Sequence, residues 1–167
     1  VRGNCGAASI RRGEEALRRY VTAPPASQDA EYAAATADLT GALRSLPPGD
    51  PARADVSFLL GALRLAAHEQ RCAEPCQAPA EFPPIVELIA AGGARDGAPA
   101  RQLLLYAIAA DKVYDHTRDP ADIAVAIDWL RRAAADQRLP AADRRRMLIN
   151  LAVQHANRAE AARPGDG

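Results

Sequence analysis

Apolar residues recur along this chain at three- and four-residue intervals, and proline or glycine interrupts them at regular distances. That spacing predicts helices. Ile10, Leu17 and Val21 share one face of a first helix over residues 8–21, which ends at "TAPPAS". A second helix, with Ser27 or Asp29 as N-cap, carries Tyr32, Ala35, Leu39, Leu43 and Leu46. "PPGD" ends it, because proline neither continues a helix nor tolerates helical geometry in the residue before it. Asp50 then caps a third helix with Pro51 at its first position and Val56, Leu59, Leu60 and Leu63 as its stripe. Pro83 and Pro84 open a short fourth helix filled by Ile85, Val86, Leu88 and Ile89 and stopped by Gly92 and Gly93. A fifth, over residues 99–116, runs through Leu103, Leu104, Leu105, Ile108 and Val113. The sixth starts at Asp119-Pro120 and carries Ile123, Ala126, Ile127 and Leu130. The seventh starts near Pro140, carries Met147, Leu148, Leu151 and Ala152, and fades into "RPGDG".

These connections are mostly short, as between helices that pack antiparallel. The expected organisation is one helical domain over residues 1–167. N-terminal helices occupy residues 8–70, an irregular link 71–82, C-terminal helices 83–162, and a tail 163–167. Composition agrees with an all-α class. About a quarter of the chain is alanine, the best helix former. With two Phe and one Trp, helices must approach closely through small side chains. Charge is balanced to a formal zero, which gives no electrostatic pull towards nucleic acid or an anionic membrane. Lys112 is the single lysine, an arginine bias that fits genomic codon usage. No stretch has the length of a membrane helix, and the first residues lack the apolar centre of a secretory signal, so a cytoplasmic protein is expected. The chain opens on Val1 rather than Met, which leaves open a literal reading of the start codon or a piece of something longer.

Laying the chain on itself with a shift of 91 residues matches the second and third helices to the sixth and seventh. Tyr32 falls on Ile123, Ala35 on Ala126, Leu39 on Leu130, Val56 on Met147, Leu60 on Leu151 and Gly61 on Ala152. The joint "PPGD" is therefore expected to belong to a repeating array. "PPGDPARADVSFLLGAL", with Pro47, Pro48, Gly49, Pro51, Arg53, Ala54, Leu60 and Gly61, resembles the joint between repeats in tetratricopeptide-type arrays of actinobacterial kind. "VYDHTRDPADIAVAI" is similar to the segment between the two helices of such a repeat, through Tyr114, Thr117, Asp119, Ala121, Asp122, Ala126 and Ile127. The resemblance covers residues 29–70 and 101–160 and fails over 71–100. It implies a degenerate tetratricopeptide-like α-solenoid of about seven antiparallel helices. It also implies a non-catalytic protein–protein interaction module that binds a peptide or partner helix on its concave face. Arrays of this family are commonly fused to caspase-like peptidase or other signalling domains. The chain would then be a regulatory or substrate-recruiting segment of a larger protein, an alternative to a free-standing scaffold.

In such arrays the first helix of each pair lines the groove. With Gly61, Ala107 and Ala152 at the small-residue position, the groove side falls on Asp55, Phe58, Ala62 and Leu65 in the third helix. In the fifth it falls on Arg101, Leu104, Ile108, Asp111 and Lys112, and in the seventh on Arg146, Ile149, Val153 and Asn157. The polar members Arg101, Asp111, Lys112, Arg146 and Asn157 are the expected partner contacts.

Other chemistry is thin. "HEQRCAEPC" spaces His68, Cys72 and Cys76 by four, a spacing that suits zinc, but structural zinc takes four ligands and only Glu69 or Cys5 offers itself as the fourth. Pro75 also breaks the helix that would align them. A Cys72–Cys76 disulfide, or two unremarkable thiols, are the other readings, and a small thiol- or metal-dependent protein is the second alternative function. No cofactor is expected. "DRRR", residues 143–146, reads as a solvated helix face. Among the aspartates between 111 and 122, Asp119 is expected as an N-cap and Asp122 as a first-turn acid. Trp129, beside Leu130, is expected to pack.

Overall fold

The computed structural model describes residues 3–71, 82–93, 100–135, 137 and 140–162, with side chains described outside residues 3, 4, 82, 93, 100–108 and 161. The described residues form seven helices and no strand: α1 (Gly3–Thr22), α2 (Pro25–Ser45), α3 (Ala52–Arg71), α4 (Phe82–Gly93), α5 (Ala100–Thr117), α6 (Pro120–Ala134) and α7 (Ala141–Ala161). The all-α class and the number of helices match the apolar spacing. The chain divides into two compact units, Val1–Arg95 and Asp96–Gly167.

Helix ends differ from expectation where proline is involved. α2 begins at Pro25 with Pro24 as its N-cap, not at Ser27 or Asp29. Proline is at home in the first turn, where its missing N–H would have no partner anyway. Ser27 Oγ instead donates to the Pro24 carbonyl at 3.1 Å. α1 starts earlier than its apolar stripe, at Gly3. Asp50 caps as expected, its Oδ1 accepting from Ala52 N at 2.9 Å, and Asp119 Oδ1 accepts from Ala121 N at the same distance.

In the first unit α3 is the central helix, with α1, α2 and α4 packed on it and α1 also on α2. Leu39, Val56, Leu60, Leu63, Ile85 and Ile89 are buried there. Alanine and glycine set the spacing. A Cβ on Gly13 would lie 2.6 Å from Leu39 Cδ2 and 2.9 Å from Leu59 Cδ1, so α1 needs glycine to reach both leucines. Gly61 does the same between α3 and α4.

Tyr20 closes one end of this unit. Its ring is buried 5.8 Å from that of Tyr32, and its hydroxyl donates to Gln70 Oε1 at 2.5 Å. Arg71 lies over the Tyr32 ring at 4.8 Å and pairs with Asp29 at 3.1 Å. Burial raises the Tyr20 pKa above the ordinary 10.0; Arg71 opposes that rise, while Tyr32 and Asp29 add to it. A tyrosine that is harder to ionise when folded stabilises the fold fully below pH 10.0, and that contribution is lost as pH rises through the folded-state value. Urea midpoints measured between pH of about 9 and about 11 should therefore fall more steeply for the native protein than for Tyr20→Phe. Equal slopes would remove Tyr20 as the source.

In the second unit α6 packs on both α5 and α7. Its core is Tyr114, Ile123 and Ile127, with Leu151 packed against them, and Met147, Leu130 and Trp129 are also buried.

Candidate functional site

The joints before α3 and before α7 have one hydrogen bond in common. Arg53 Nη1 donates to the carbonyls of Leu43 and Leu46 at 2.5 and 2.6 Å. Arg144 Nη2 donates to the Gln137 carbonyl at 2.9 Å. Arg144 is 91 residues after Arg53, and Gln137 is 91 after Leu46. In both joints an arginine in the first turn of the later helix reaches back to a carbonyl at or just past the end of the earlier one. Such carbonyls have no partner within their own helix, and a cation there also suits the negative end of the helix dipole. This recurring bond was invisible to the apolar pattern; the signal for it was the shared Arg of "PARAD" and "DRRR". The latter run is accordingly split: Arg144 is half-buried in this role, while Arg145 and Arg146 are exposed.

Matched core positions agree in part. Ala35 and Ala126 are fully buried, as are Val56 and Met147, and Leu39 and Leu130 are nearly so. Tyr32 is half-buried where Ile123 is fully buried. Leu151 is half-buried and Ala152 exposed, whereas Leu60 and Gly61 are buried, because α4 covers α3 and no described element covers that side of α7.

The expected groove residues separate by unit. On α3, Asp55, Phe58 and Leu65 are buried, so that face of the central helix belongs to the core. On α7, Arg146, Ile149 and Val153 are exposed and Asn157 is half-buried. Asp111, on α5, is half-buried and accepts from Gln154 Nε2 of α7 at 2.5 Å, which ties the two helices together. Lys112 beside it is exposed. Arg101 lies on α5, but its side chain falls outside the described residues.

Where α5 ends, Tyr114, Asp115, Arg118, Asn157 and Glu160 line a polar cleft of about 320 Å³. Arg118 follows the last residue of α5 in the left-handed region at φ 56°, a place usually taken by glycine. Its N–H bonds the Tyr114 carbonyl at 2.8 Å, and its guanidinium lies 5.4 Å from the Tyr114 ring centre. Beside Arg118, leading into α6, Thr117 Oγ1 donates to Asp122 Oδ2 at 2.5 Å and accepts from Asp119 N at 3.1 Å. Asp119 is thus the N-cap of α6 and Asp122 an acid of its first turn, as expected.

His68 is half-buried on α3, and Cys72 and Cys76 lie outside the described residues. Among the described residues no three His, Cys, Asp or Glu side chains stand together as a metal would need. No described helix is long and apolar enough to cross a membrane. No family model, no curated protein and no solved structure matches the chain.

Proposed function

We propose that this chain is a non-catalytic protein–protein interaction module of tetratricopeptide-like design, acting in the cytoplasm and binding a peptide or partner helix beside α5 and α7. The observation that carries the reading is the recurrence, at one fixed shift, of the arginine-to-carbonyl bond of Arg53 and Arg144. Repetition of a joint is how solenoids stack helix pairs, and stacked pairs offer side chains along an extended face rather than an enclosed reaction site. Asp111, Lys112, Arg146 and Asn157 supply both signs of charge and an amide on these two helices, and Arg101 of α5 belongs to the same proposed set of contacts. The cleft of Tyr114, Asp115, Arg118, Asn157 and Glu160 adds an aromatic edge and a cation, groups that anchor peptide interfaces.

Arg118→Gly tests this without damaging the fold. Glycine relieves the left-handed strain of about 1 kcal/mol, while the lost exposed cation–aromatic contact costs about as much. Stability should therefore change by less than about 1 kcal/mol. Affinity capture from a lysate of the source organism, with Arg118→Gly and Arg146→Ala as parallel baits, should recover a protein with the native bait and lose it with the variants. Retention by both variants would move binding away from this face.

A further inference from the structure

We propose that α7 pairs antiparallel with α7 of a second copy of this chain. One side of α7 is core: Met147 is fully buried and Gln154 nearly so. The other side is an exposed stripe formed by Leu148, Ile149 and Val153, which are 52%, 55% and 48% exposed, with the small residues Ala152 and Ala156 between them. A helix buried on one side and apolar on the other is suited to burial on both.

The repeat states what belongs there. The residues 91 positions earlier on α3 include Phe58, Gly61 and Leu65, and these are buried. At Gly61 the cover is α4: a Cβ there would stand 2.7 Å from Ile89 Cγ1 and 3.0 Å from Ile89 N. A β-branched side chain of a neighbouring helix thus seats on the small residue. Ala152 is the equivalent small residue on α7, and it is bare.

Charge selects the second copy and its direction. Arg145 stands at one end of the stripe and Glu160 at the other, both exposed, with the midpoint between Ala152 and Val153. An antiparallel two-fold about that midpoint sets Arg145 opposite Glu160 of the second copy, twice per dimer. It also sets Ala152 opposite Val153, again a small residue facing a β-branched one, and Ile149 opposite Ala156. A parallel pairing would set Arg145 against Arg145 and lose both attractions. Self-complementary surfaces of this kind are what isologous dimers require. The stripe shares Ile149 and Val153 with the groove side expected of α7, and the pairing shares Glu160 with the cleft beside Tyr114, but the inference does not rest on the proposed function, because exposure and charge along α7 define it.

Sedimentation equilibrium of the purified chain from about 1 to about 500 µM should show a reversible monomer–dimer transition. Ile149→Arg should abolish it with the helical circular dichroism signal unchanged, because Ile149 is exposed in the monomer. Arg145→Glu or Glu160→Arg alone turns two attractions into repulsions and should weaken the dimer about tenfold. The double reversal should restore affinity to within about threefold of the native chain. A monomer at every concentration overturns the proposal, whatever else covers the stripe. So does a dimer indifferent to Ile149→Arg. A double reversal that stays weak overturns the antiparallel register.

Discussion

Cutting Leu39 or Leu130 back to alanine is expected to cost about 2 to 5 kcal/mol of folding stability in each case. The two residues occupy the same position of the repeated joint, and both are buried, at 1% and 2% exposure. Leucine loses its transfer free energy and leaves a cavity that helices spaced by alanine and glycine close only partly. Around Leu39 the wall on one side is the bare backbone at Gly13, which has no side chain to move into the gap. Leu60→Ala belongs to the same class, since Leu60 is 4% exposed under α4. Leu151→Ala should cost less, about 1 to 2 kcal/mol, because half-burial means a smaller area is returned to water. Chemical denaturation with the slope of the transition monitored for constancy measures all four. A near-neutral Leu130→Ala beside a costly Leu39→Ala would break the equivalence of the two joints.

The helices were legible in the sequence because their two determinants are local. Apolar spacing gave the stripes of α3, α6 and α7, and Pro-Pro, Gly-Gly and Asp-Pro gave the ends of α2, α4 and α5. Errors occurred where a residue type serves two purposes. Pro24 and Pro25 looked like a break between helices, yet one caps α2 and the other is its first residue. The pattern of the repeat was also readable, but its environment was not. Phe58 and Ile149 are equivalent in sequence, and one is buried while the other is 55% exposed. Which faces a helix buries depends on how many neighbours reach it: three on α3, while α6 is the chief neighbour of α7. That is a property of tertiary packing and leaves no mark on the helix itself. For the same reason Asp55, Phe58 and Leu65, which the repeat pattern places on a groove, are buried. The cleft residue Arg118 was missed because a left-handed position usually announces itself by glycine or asparagine, and here an arginine takes it. Tyr114 and Asn157 each had a helical position but nothing in their spacing put them together; they meet because α6 packs on both α5 and α7 and the Gln154–Asp111 bond bridges the two.

Gly61→Ala should destabilise the protein although alanine is the better helix former. In the interior of a helix that exchange contributes about 1 kcal/mol of stabilisation by propensity. At Gly61 the new methyl would stand 2.7 Å from Ile89 Cγ1, 3.0 Å from Leu88 Cβ and 3.0 Å from Ile89 N. A side-chain tip swings away at little cost, but a backbone nitrogen moves only if the whole of α4 retreats. Forcing a methyl into a packed interior costs about 1 to 3 kcal/mol, more when backbone must shift, and that outweighs the propensity gain. Gly61→Val adds branching to the same clash and should lose about 3 kcal/mol or more. Gly41→Ala is the internal control. Gly41 also lies within a helix, it is exposed, and its Cβ would meet nothing within 4 Å. There only propensity acts, and stability should rise by about 0.5 to 1 kcal/mol. Opposite signs for the same chemical change, read from thermal or urea unfolding, would identify close approach of α3 and α4 as the reason for glycine at 61. A rise in stability at both positions would mean that α4 yields, and that the small residue of the joint is there for another reason.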